Sequence, residues 1–327
     1  MLMSSNASIF FGMNESYTLT IDLSSSSVTS TAAGRGGTAN PYRARLVAET
    51  IAGAYHGLES FSQLLAFDYE TEAYVIGGAP LAIVDAPRFA WRELMVDCQA
   101  HYLPPRLLRQ LVDSMTTAKL NVLQLHLAGF DSFPLALPSR PKLSKGAFSK
   151  YERYTLRDLA ALRDYAAARG IRLIAELDTP GHAASWCVGM PELCPAPTGR
   201  CRQPLNPALN ETFATIEAVL KDVVSVLHDE YIHLGEDEFA APAAAAPHAN
   251  DYSCWLSSPS IAAWLKKQGD WSGDDAAKYF LERTHAIARE LGKQTLVWDE
   301  VWNILGESFD KQIPVNISVL QLLYFGV

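Results

Sequence analysis

The sequence predicts an α/β protein: a (β/α)8 barrel of the TIM type, incomplete at its C-terminal end and preceded by a small α+β domain. Three observations predict this fold. From Arg88 onward, apolar strands alternate with amphipathic helices, which favours a parallel sheet covered on both faces. Several of these strands end in acids and histidines, as the strands of barrel enzymes do. The 327 residues are enough for a barrel and a smaller domain.

The predicted domains are residues 1–86 and 87–327, with Pro87 at the boundary. In the first domain, alternating polar and apolar side chains predict half-buried strands, and a stretch with helical spacing follows them. The Ser- and Gly-rich residues 24–37 indicate a loop. The predicted elements are strands at 17–22, 42–48, 74–76 and 81–84 and a helix at 50–65.

The second domain contains five clear apolar strands, with residues 317–324 as a candidate sixth. Because eight strands close a barrel, the last strands are expected to be missing. One helix begins at Thr155 with Asp158 three residues on, a capping-box pattern, and is expected to stop at Gly170. The strands are expected at 94–96, 122–127, 171–177, 231–234 and 295–298, and the helices at 107–115, 155–170, 216–223 and 276–291.

The composition is that of an ordinary globular protein and argues against several other classes. A net charge of −9 without a basic cluster disfavours nucleic acid as a partner. No apolar run has the length of a membrane span, and no signal peptide is visible. The five cysteines leave at least one unpaired if the others are bridged, and their spacing favours local disulfides over zinc. Sequons typical of a secreted glycoprotein stand at Asn6, Asn14, Asn210 and Asn316.

Two strand ends carry the residues that point to chemistry. Asp178 and His182 follow the third strand of the barrel, and the adjacent acids Asp237 and Glu238 follow the fourth. Carboxyl groups in such a place indicate attack on an acetal, in which one acid donates a proton and another stabilises charge. An acid pair alone is more often a solvated turn or a helix N-terminus. The partners at neighbouring strand ends favour a catalytic site.

Asp178 and four further residues are candidates for substrate binding, and structural alternatives stand beside them. Asp178-Thr-Pro-Gly is also consistent with a simple turn. Arg92 is equally consistent with an ion pair to Glu93. His126, on an apolar strand, is more often a core histidine. Trp186 and Trp298 are suited to stack on the apolar face of a sugar, and Trp298 is equally consistent with the core. No metal-binding spacing is present, so no metal or other cofactor is expected.

The order of short motifs resembles glycoside hydrolase family 20, the β-N-acetylhexosaminidases. Two motifs carry most of the resemblance, Asp178-Thr-Pro-Gly-His182 and His233-Leu-Gly-Glu-Asp-Glu238. Segments 15–19 and 57–64 are similar to the N-terminal domain of that family. The other matching segments are 87–92, 101–104, 119–122, 132–134, 169–172 and 297–298.

The resemblance implies a glycosidase that removes terminal β-linked N-acetylglucosamine or N-acetylgalactosamine with retention of configuration. It implies a substrate-assisted mechanism in which the 2-acetamido oxygen attacks the anomeric carbon to form an oxazolinium ion. Glu238 would be the general acid and base, and Asp237 would hold the acetamido N–H and offset the positive charge. Arg92 would bind sugar hydroxyls, His182 would stand behind the acid, and Trp298 would form a wall of the acetamido pocket.

Three departures from the family pattern bear on activity. Gly129 and Phe130 stand where the family has two acids, and Asp131 is the nearest substitute. Glu236 stands where the family has a small residue, and an inward carboxyl there would raise the pKa of a neighbouring acid. The late strands with further pocket aromatics are not found before Val327. The alternative prediction is therefore a truncated or diverged homologue that is catalytically impaired and only binds carbohydrate.

The resemblance also implies partners and a location. The expected partners are N-acetylhexosamine-terminated glycans or chitooligosaccharides, with neither nucleic acid nor a membrane span. A homodimer is expected because relatives form one. The family is secreted or lysosomal, or vacuolar in plants, and the same location is expected for this chain.

Overall fold

The computed structural model describes residues 9–23, 42–196, 201–237 and 252–301. These residues form two compact units. The first contains the described residues up to Glu93 together with Leu111–Val122 and Ala166–Arg172. The second contains Leu94–Gln110, Leu123–Tyr165 and the described residues from Leu173 onward. The domain boundary between residues 86 and 87 stays a prediction, since each compact unit combines separate stretches of the chain.

The first unit contains a small antiparallel sheet, a short hairpin and one complete helix. Its strands are β1 (Tyr17–Leu23), β2 (Tyr42–Ala48), β3 (Ala66–Asp68), β4 (Ala73–Val75) and β5 (Leu81–Asp85), and its helix is α1 (Ile51–Gln63). The sheet has the order β2-β1-β5, and β3 pairs with β4. Alternation along β1 buries Tyr17, Leu19 and Ile21. Gly57 permits close approach of α1 to β2, because a Cβ there would lie 2.2 Å from Leu46 Cδ1.

The larger sheet brings together the strands that position the candidate site. The remaining strands are β6 (Glu93–Asp97), β7 (Val122–Ala128), β8 (Leu135–Ala136), β9 (Tyr154–Thr155), β10 (Arg172–Leu177), β11 (Tyr231–His233) and β12 (Gln294–Leu296). Five of them form a sheet in the order β12-β11-β10-β7-β6, in which β10 and β12 both run parallel to β11. Every residue of β10 is buried, as expected for a strand covered on both faces.

Helices alternate with these strands. They are α2 (Pro105–Thr117), α3 (Leu156–Ala167), α4 (Trp186–Gly189), α5 (Asn210–Val226), α6 (Ser253–Ser257), α7 (Pro259–Lys267) and α8 (Gly273–Glu290), with short 3₁₀ turns at Pro141–Gly146 and Pro191–Leu193. In the described part of the chain, no helix combines the length and apolar character needed to cross a membrane.

The structure confirms the predicted α/β class. Each strand and helix predicted between residues 42 and 298 is present, with bounds that differ by a few residues. The predicted strand at 17–22 corresponds to β1. The predicted loop at 24–37 and the candidate strand at 317–324 lie outside the described residues.

Candidate functional site

The candidate site lies in the second unit, where β10 and β11 end. Asp178 directly follows β10, and a short turn after β11 leads to Asp237. Nδ1 of His182 lies 2.8 Å from Oδ2 of Asp178 and 3.2 Å from Oδ1 of Asp237. The two strand ends are also joined through the backbone, because the Thr179 N–H donates to the Leu234 carbonyl at 3.2 Å. The structure thus brings three of the predicted residues into one cluster.

The turn after β11 is built against Asp178. Gly235 has φ of +74°, and a Cβ at this position would lie 2.0 Å from Oδ1 of Asp178, so both the backbone and the space require glycine. The next residue, Glu236, donates its backbone N–H to the same oxygen at 3.1 Å. Asp178 therefore supports the backbone that carries Asp237 as well as the imidazole of His182.

The charges in this cluster shift one another's pKa. Burial lowers the pKa of His182, but hydrogen bonds and charge from Asp178 and Asp237 outweigh burial and raise it to about 11. Burial raises the pKa of Asp178 well above its ordinary value, and the charge of Asp237 adds to the increase. Burial also acts to raise the pKa of Asp237, yet the hydrogen bond and charge of His182 lower it overall. The cluster thus holds an ionised Asp237 against an imidazolium.

His126 lies beside this cluster and next to a second buried acid. Its Nδ1 is 3.9 Å from Oε2 of Glu176, and its Nε2 is 4.0 Å from Oδ2 of Asp178. Burial lowers the pKa of His126, but the charges of Glu176 and Asp178 raise it overall. Glu176 also accepts hydrogen bonds from Nε2 of Gln124 at 2.7 Å and from the indole N–H of Trp298 at 2.8 Å. The sequence analysis missed Glu176, although a single acid inside an apolar strand was a usable signal.

Two groups of side chains in the described residues have the composition of a metal site. They are His126 with Glu176 and Asp178, and Asp178 with His182 and Asp237. In the second group the ligand atoms already bind one another, because both carboxylates contact Nδ1 of His182. The ion pairs of His182 with the two carboxylates account for the close approach of these three side chains.

Trp298 contacts the buried acid beside the cluster, and its role as a wall of the acetamido pocket stays a prediction. Its indole is 8% exposed and lies 4.9 Å from the ring of His233, centroid to centroid. The indole N–H is used by Glu176. The side chain therefore supports the buried acid, and little of its ring surface is free to stack on a sugar.

Trp186 does not form a platform for sugar. It is 1% exposed, and Phe133 packs edge-on against it with ring centroids 5.0 Å apart. Stacking on a sugar needs an accessible ring face, which a core tryptophan does not present. The expectation that Trp186 binds substrate is corrected accordingly.

Arg92 belongs to the first unit and directly precedes β6. Its two terminal nitrogens bind the two carboxylate oxygens of Glu15 at 2.9 and 2.7 Å, inside the first unit. The carboxylate partner of Arg92 is therefore Glu15 and not Glu93, and the binding of sugar hydroxyls by Arg92 stays a prediction.

The position of the two replaced acids is filled by other groups. A Cβ on Gly129 would lie 2.5 Å from the side chain of Gln99, which occupies this space. Asp131 is exposed, and its backbone N–H donates to Oε1 of Gln99 at 2.9 Å. Asp131 is therefore not a substitute for the missing acids in the cluster. The predicted general acid, Glu238, lies outside the described residues.

Comparisons with known proteins identify the family. Residues 89–318 match the model of glycosyl hydrolase family 20, catalytic domain. The β-hexosaminidase 3 of Arabidopsis thaliana is 39% identical over 276 residues, which cover 84% of this chain and 49% of that protein. The β-hexosaminidase subunit beta of Homo sapiens is 34% identical over 268 residues, covering 79% and 45%. This chain spans about half the length of these curated relatives.

The fold agrees with solved structures of the same family. The chitobiase of Flavobacterium johnsoniae superposes with a TM-score of 0.74 at 26% identity, covering 90% of this chain and 41% of that one. A β-N-acetylglucosaminidase of Vibrio harveyi gives a TM-score of 0.69 at 22% identity, covering 88% and 44%, and supports the fold alone. The predicted TIM-type barrel class is thereby confirmed. With a family model matched along most of its length, the chain belongs to glycosyl hydrolase family 20.

Proposed function

We propose that this chain is a glycosidase that removes terminal β-linked N-acetylglucosamine or N-acetylgalactosamine from glycans or chitooligosaccharides. The observation that carries the proposal is the cluster of Asp178, His182 and Asp237. Asp237 directly precedes Glu238 in the sequence. An ionised, mostly buried carboxylate fixed by a cation is suited to bind an amide N–H and to stabilise a nearby positive charge. Membership of family 20 and the β-hexosaminidase relatives support the same activity.

The proposed reaction is substrate-assisted and retains configuration. The acetamido oxygen of the substrate attacks the anomeric carbon while Glu238 gives its proton to the glycosidic oxygen, and the bond to the leaving group breaks. The cyclic oxazolinium ion that forms carries a positive charge. Water then attacks the anomeric carbon, the carboxylate of Glu238 takes its proton, and the acetamido oxygen is released.

Asp237 has the central role in orienting the substrate. The depressed pKa keeps its carboxylate ionised, so it accepts the acetamido N–H and offsets the charge of the oxazolinium ion. His182 holds that carboxylate in place through the 3.2 Å contact. Asp178 in turn fixes His182 and the backbone of the turn.

The test is hydrolysis by the 327-residue chain of two N-acetyl-β-glucosaminides, one with a nitrophenyl leaving group and one with a sugar leaving group. Glu238→Gln is expected to lower kcat by ~10²-fold or more on the sugar leaving group, which needs a proton, and less on nitrophenyl. Asp237→Asn is expected to lower kcat on both substrates alike, because it acts on the acetamido group.

Glu217→Gln is the matched control, since Glu217 is an exposed acid on α5 paired with Lys221 and is expected to leave both rates unchanged. The first product, observed by NMR, is expected to be the β anomer. Folded parent protein that hydrolyses neither substrate would overturn the proposal.

The proposed location is secreted or lysosomal. Two disulfides, Cys187–Cys194 and Cys201–Cys254, support an oxidising compartment. The homodimer expected from the resemblance stays a prediction.

A further inference from the structure

Glu236, the residue before Asp237, is fully buried and has φ of +69°. Few non-glycine residues adopt this left-handed conformation, and they keep it only where the surrounding structure holds them. Five non-glycine residues with positive φ occur in the described part of the chain, and two of them, His182 and Glu236, belong to the candidate site. The left-handed backbone at Glu236 therefore directly precedes Asp237, and it affects the orientation of the Asp237 carboxylate.

The side chain of Glu236 anchors the turn to α8 and, through His285, to β12. Its Oε1 accepts a hydrogen bond from the Thr284 hydroxyl of α8 at 3.0 Å, and its Oε2 lies 2.9 Å from Nε2 of His285 on the same helix. Nδ1 of His285 lies 2.8 Å from the hydroxyl oxygen of Thr295 on β12. The backbone N–H of Glu236 meanwhile donates to Asp178. Asp178 fixes the main chain of the residue, and α8 fixes its side chain.

This carboxylate points away from the cluster. Its partners lie on α8, whereas Asp237, the next residue, contacts His182. The pKa of Asp237 is shifted chiefly by burial, by His182, by Asp178 and by His126. An effect of Glu236 on Asp237 therefore acts through the position of the backbone.

We propose that Glu236, held by Thr284 and His285, is a positioning residue that fixes the turn after β11 and thereby directs the Asp237 carboxylate toward His182. The effect of Glu236 on catalysis rests on the proposed function. Its effect on the position of the Asp237 carboxylate does not depend on that function. The competing explanation is that Glu236 and His285 only stabilise the core. The two explanations predict different results when the side chain is removed and the protein stays folded.

The experiment compares the parent chain with Glu236→Gly and Glu236→Gln. Glycine adopts a positive φ without strain, so this variant removes the anchor but not the backbone conformation. We expect Glu236→Gly to lower kcat by ~10²-fold with little change in KM, as a displaced catalytic group does. Glutamine has the same shape and forms hydrogen bonds with both α8 partners, so Glu236→Gln is expected to recover most of the parent kcat.

A second measurement does not depend on activity. NMR titration of the His182 ring reports whether Asp237 remains beside it, because both acids raise its pKa to about 11. In the parent and in Glu236→Gln the ring is expected to stay protonated at about pH 9, and in Glu236→Gly to lose its proton at a lower pH. Ser272→Ala, which removes a cap of α8, is the control for lost stability and is expected to leave kcat and this titration unchanged.

Parent values of kcat and of the His182 titration in Glu236→Gly would overturn the inference. If the parent chain shows no turnover, the proposed function fails, and the titration alone decides the role of Glu236. If Glu236→Gly does not fold, Thr284→Val is measured in the same way. That variant keeps the shape of the side chain and removes the hydroxyl donor to Oε1 of Glu236, so unchanged values there would overturn the inference as well.

Discussion

His182 stands between two carboxylates and holds them together. Its Nδ1 lies within 3.2 Å of both Asp178 and Asp237, and its φ is +44°. Burial and the ionised carboxylate of Asp237 raise the pKa of Asp178, and the charge of His182 offsets the repulsion between the two acids. With a pKa of about 11, His182 remains a cation across the neutral range. The orientation of Asp237 therefore depends on the charge of His182.

This charge makes stability depend on pH. The pKa of His182 is about 11 in the folded protein and 6.5 for an unperturbed histidine. A group whose pKa is raised by folding stabilises the native state fully below its unfolded pKa, and this stabilisation is lost as pH rises toward the folded pKa. The free energy of unfolding contributed by His182 is thus expected to fall from pH 6.5 toward pH 11.

The measurement is urea unfolding of the parent and of His182→Gln across that range. The variant cannot titrate at this position, so the parent is expected to lose stability with rising pH relative to the variant. A constant difference between the two proteins at all pH values would show that His182 does not carry the charge assigned to it.

The residues that the sequence assigned to the site differ in how well the sequence predicted their surroundings. Asp178, His182 and Asp237 were predicted because they follow apolar strands, and the carboxyl ends of parallel strands meet at one edge. The pairing of Arg92 with Glu15 joins positions 77 residues apart, and no local pattern encodes it. The burial of Trp186 follows from its packing on Phe133, a contact between distant positions that no local pattern encodes.

At the scale of the elements, α8 begins with a reciprocal cap. The Ser272 side chain accepts a hydrogen bond from the Asp275 N–H, and the Asp275 carboxylate accepts one from the Ser272 N–H, which together form a capping box. Such a cap satisfies N–H groups that have no partner inside the helix. Thr284 and His285 of the same helix contact the carboxylate of Glu236. The position of α8 therefore affects the position of the turn after β11.

Removal of this cap is expected to reduce stability and leave catalysis intact. Ser272→Ala is expected to lower the free energy of unfolding by about 1 kcal/mol, because the N–H of Asp275 loses its acceptor. Urea unfolding measures this change, and kcat at saturating substrate measures the second expectation. A fall in kcat at a temperature where the variant is fully folded would mean that the cap of α8 affects the geometry of the site.

Most of the elements that the sequence did not predict are short. The helix pattern with Thr155 and Asp158 corresponds to α3, and the predicted capping bonds are present at 2.9 and 3.2 Å. In contrast, β3, β8 and β9 have two or three residues each, and α4 and α6 have four and five. Elements this short contain too few residues to show a periodicity, and tertiary contacts rather than propensity decide them.

At the scale of the whole molecule, two disulfides constrain the chain. Cys187 pairs with Cys194, and Cys201 pairs with Cys254, while Cys98 is buried and free. The sequence predicted local bridging and at least one unpaired cysteine, and Cys187–Cys194 and Cys98 agree with this. It did not predict that Cys254 would close a long loop, because the fold and not the spacing brings this cysteine to Cys201.

The two loops differ in length, so the two disulfides are expected to contribute unequally to stability. The sequence separation is 53 residues for Cys201–Cys254 and 7 for Cys187–Cys194. In the chain-entropy model, the longer loop restricts the unfolded state by about 4 kcal/mol and the shorter one by about 2 kcal/mol. The longer loop also encloses β11 and Asp237, so this disulfide limits the unfolding of the segment that carries the proposed catalytic residues.

Urea unfolding of two double variants separates these contributions. Cys201→Ser with Cys254→Ser is expected to lose about twice as much free energy of unfolding as Cys187→Ser with Cys194→Ser. Each variant keeps Cys98 unchanged, so a difference between them reflects loop length and local packing only. Cys187 and Cys194 are both buried, and serine hydroxyls there add a desolvation cost that works against the expected order. A larger loss for the Cys201 and Cys254 variant would therefore support the chain-entropy account despite that cost, and the reverse order would assign the stability to packing around the shorter loop.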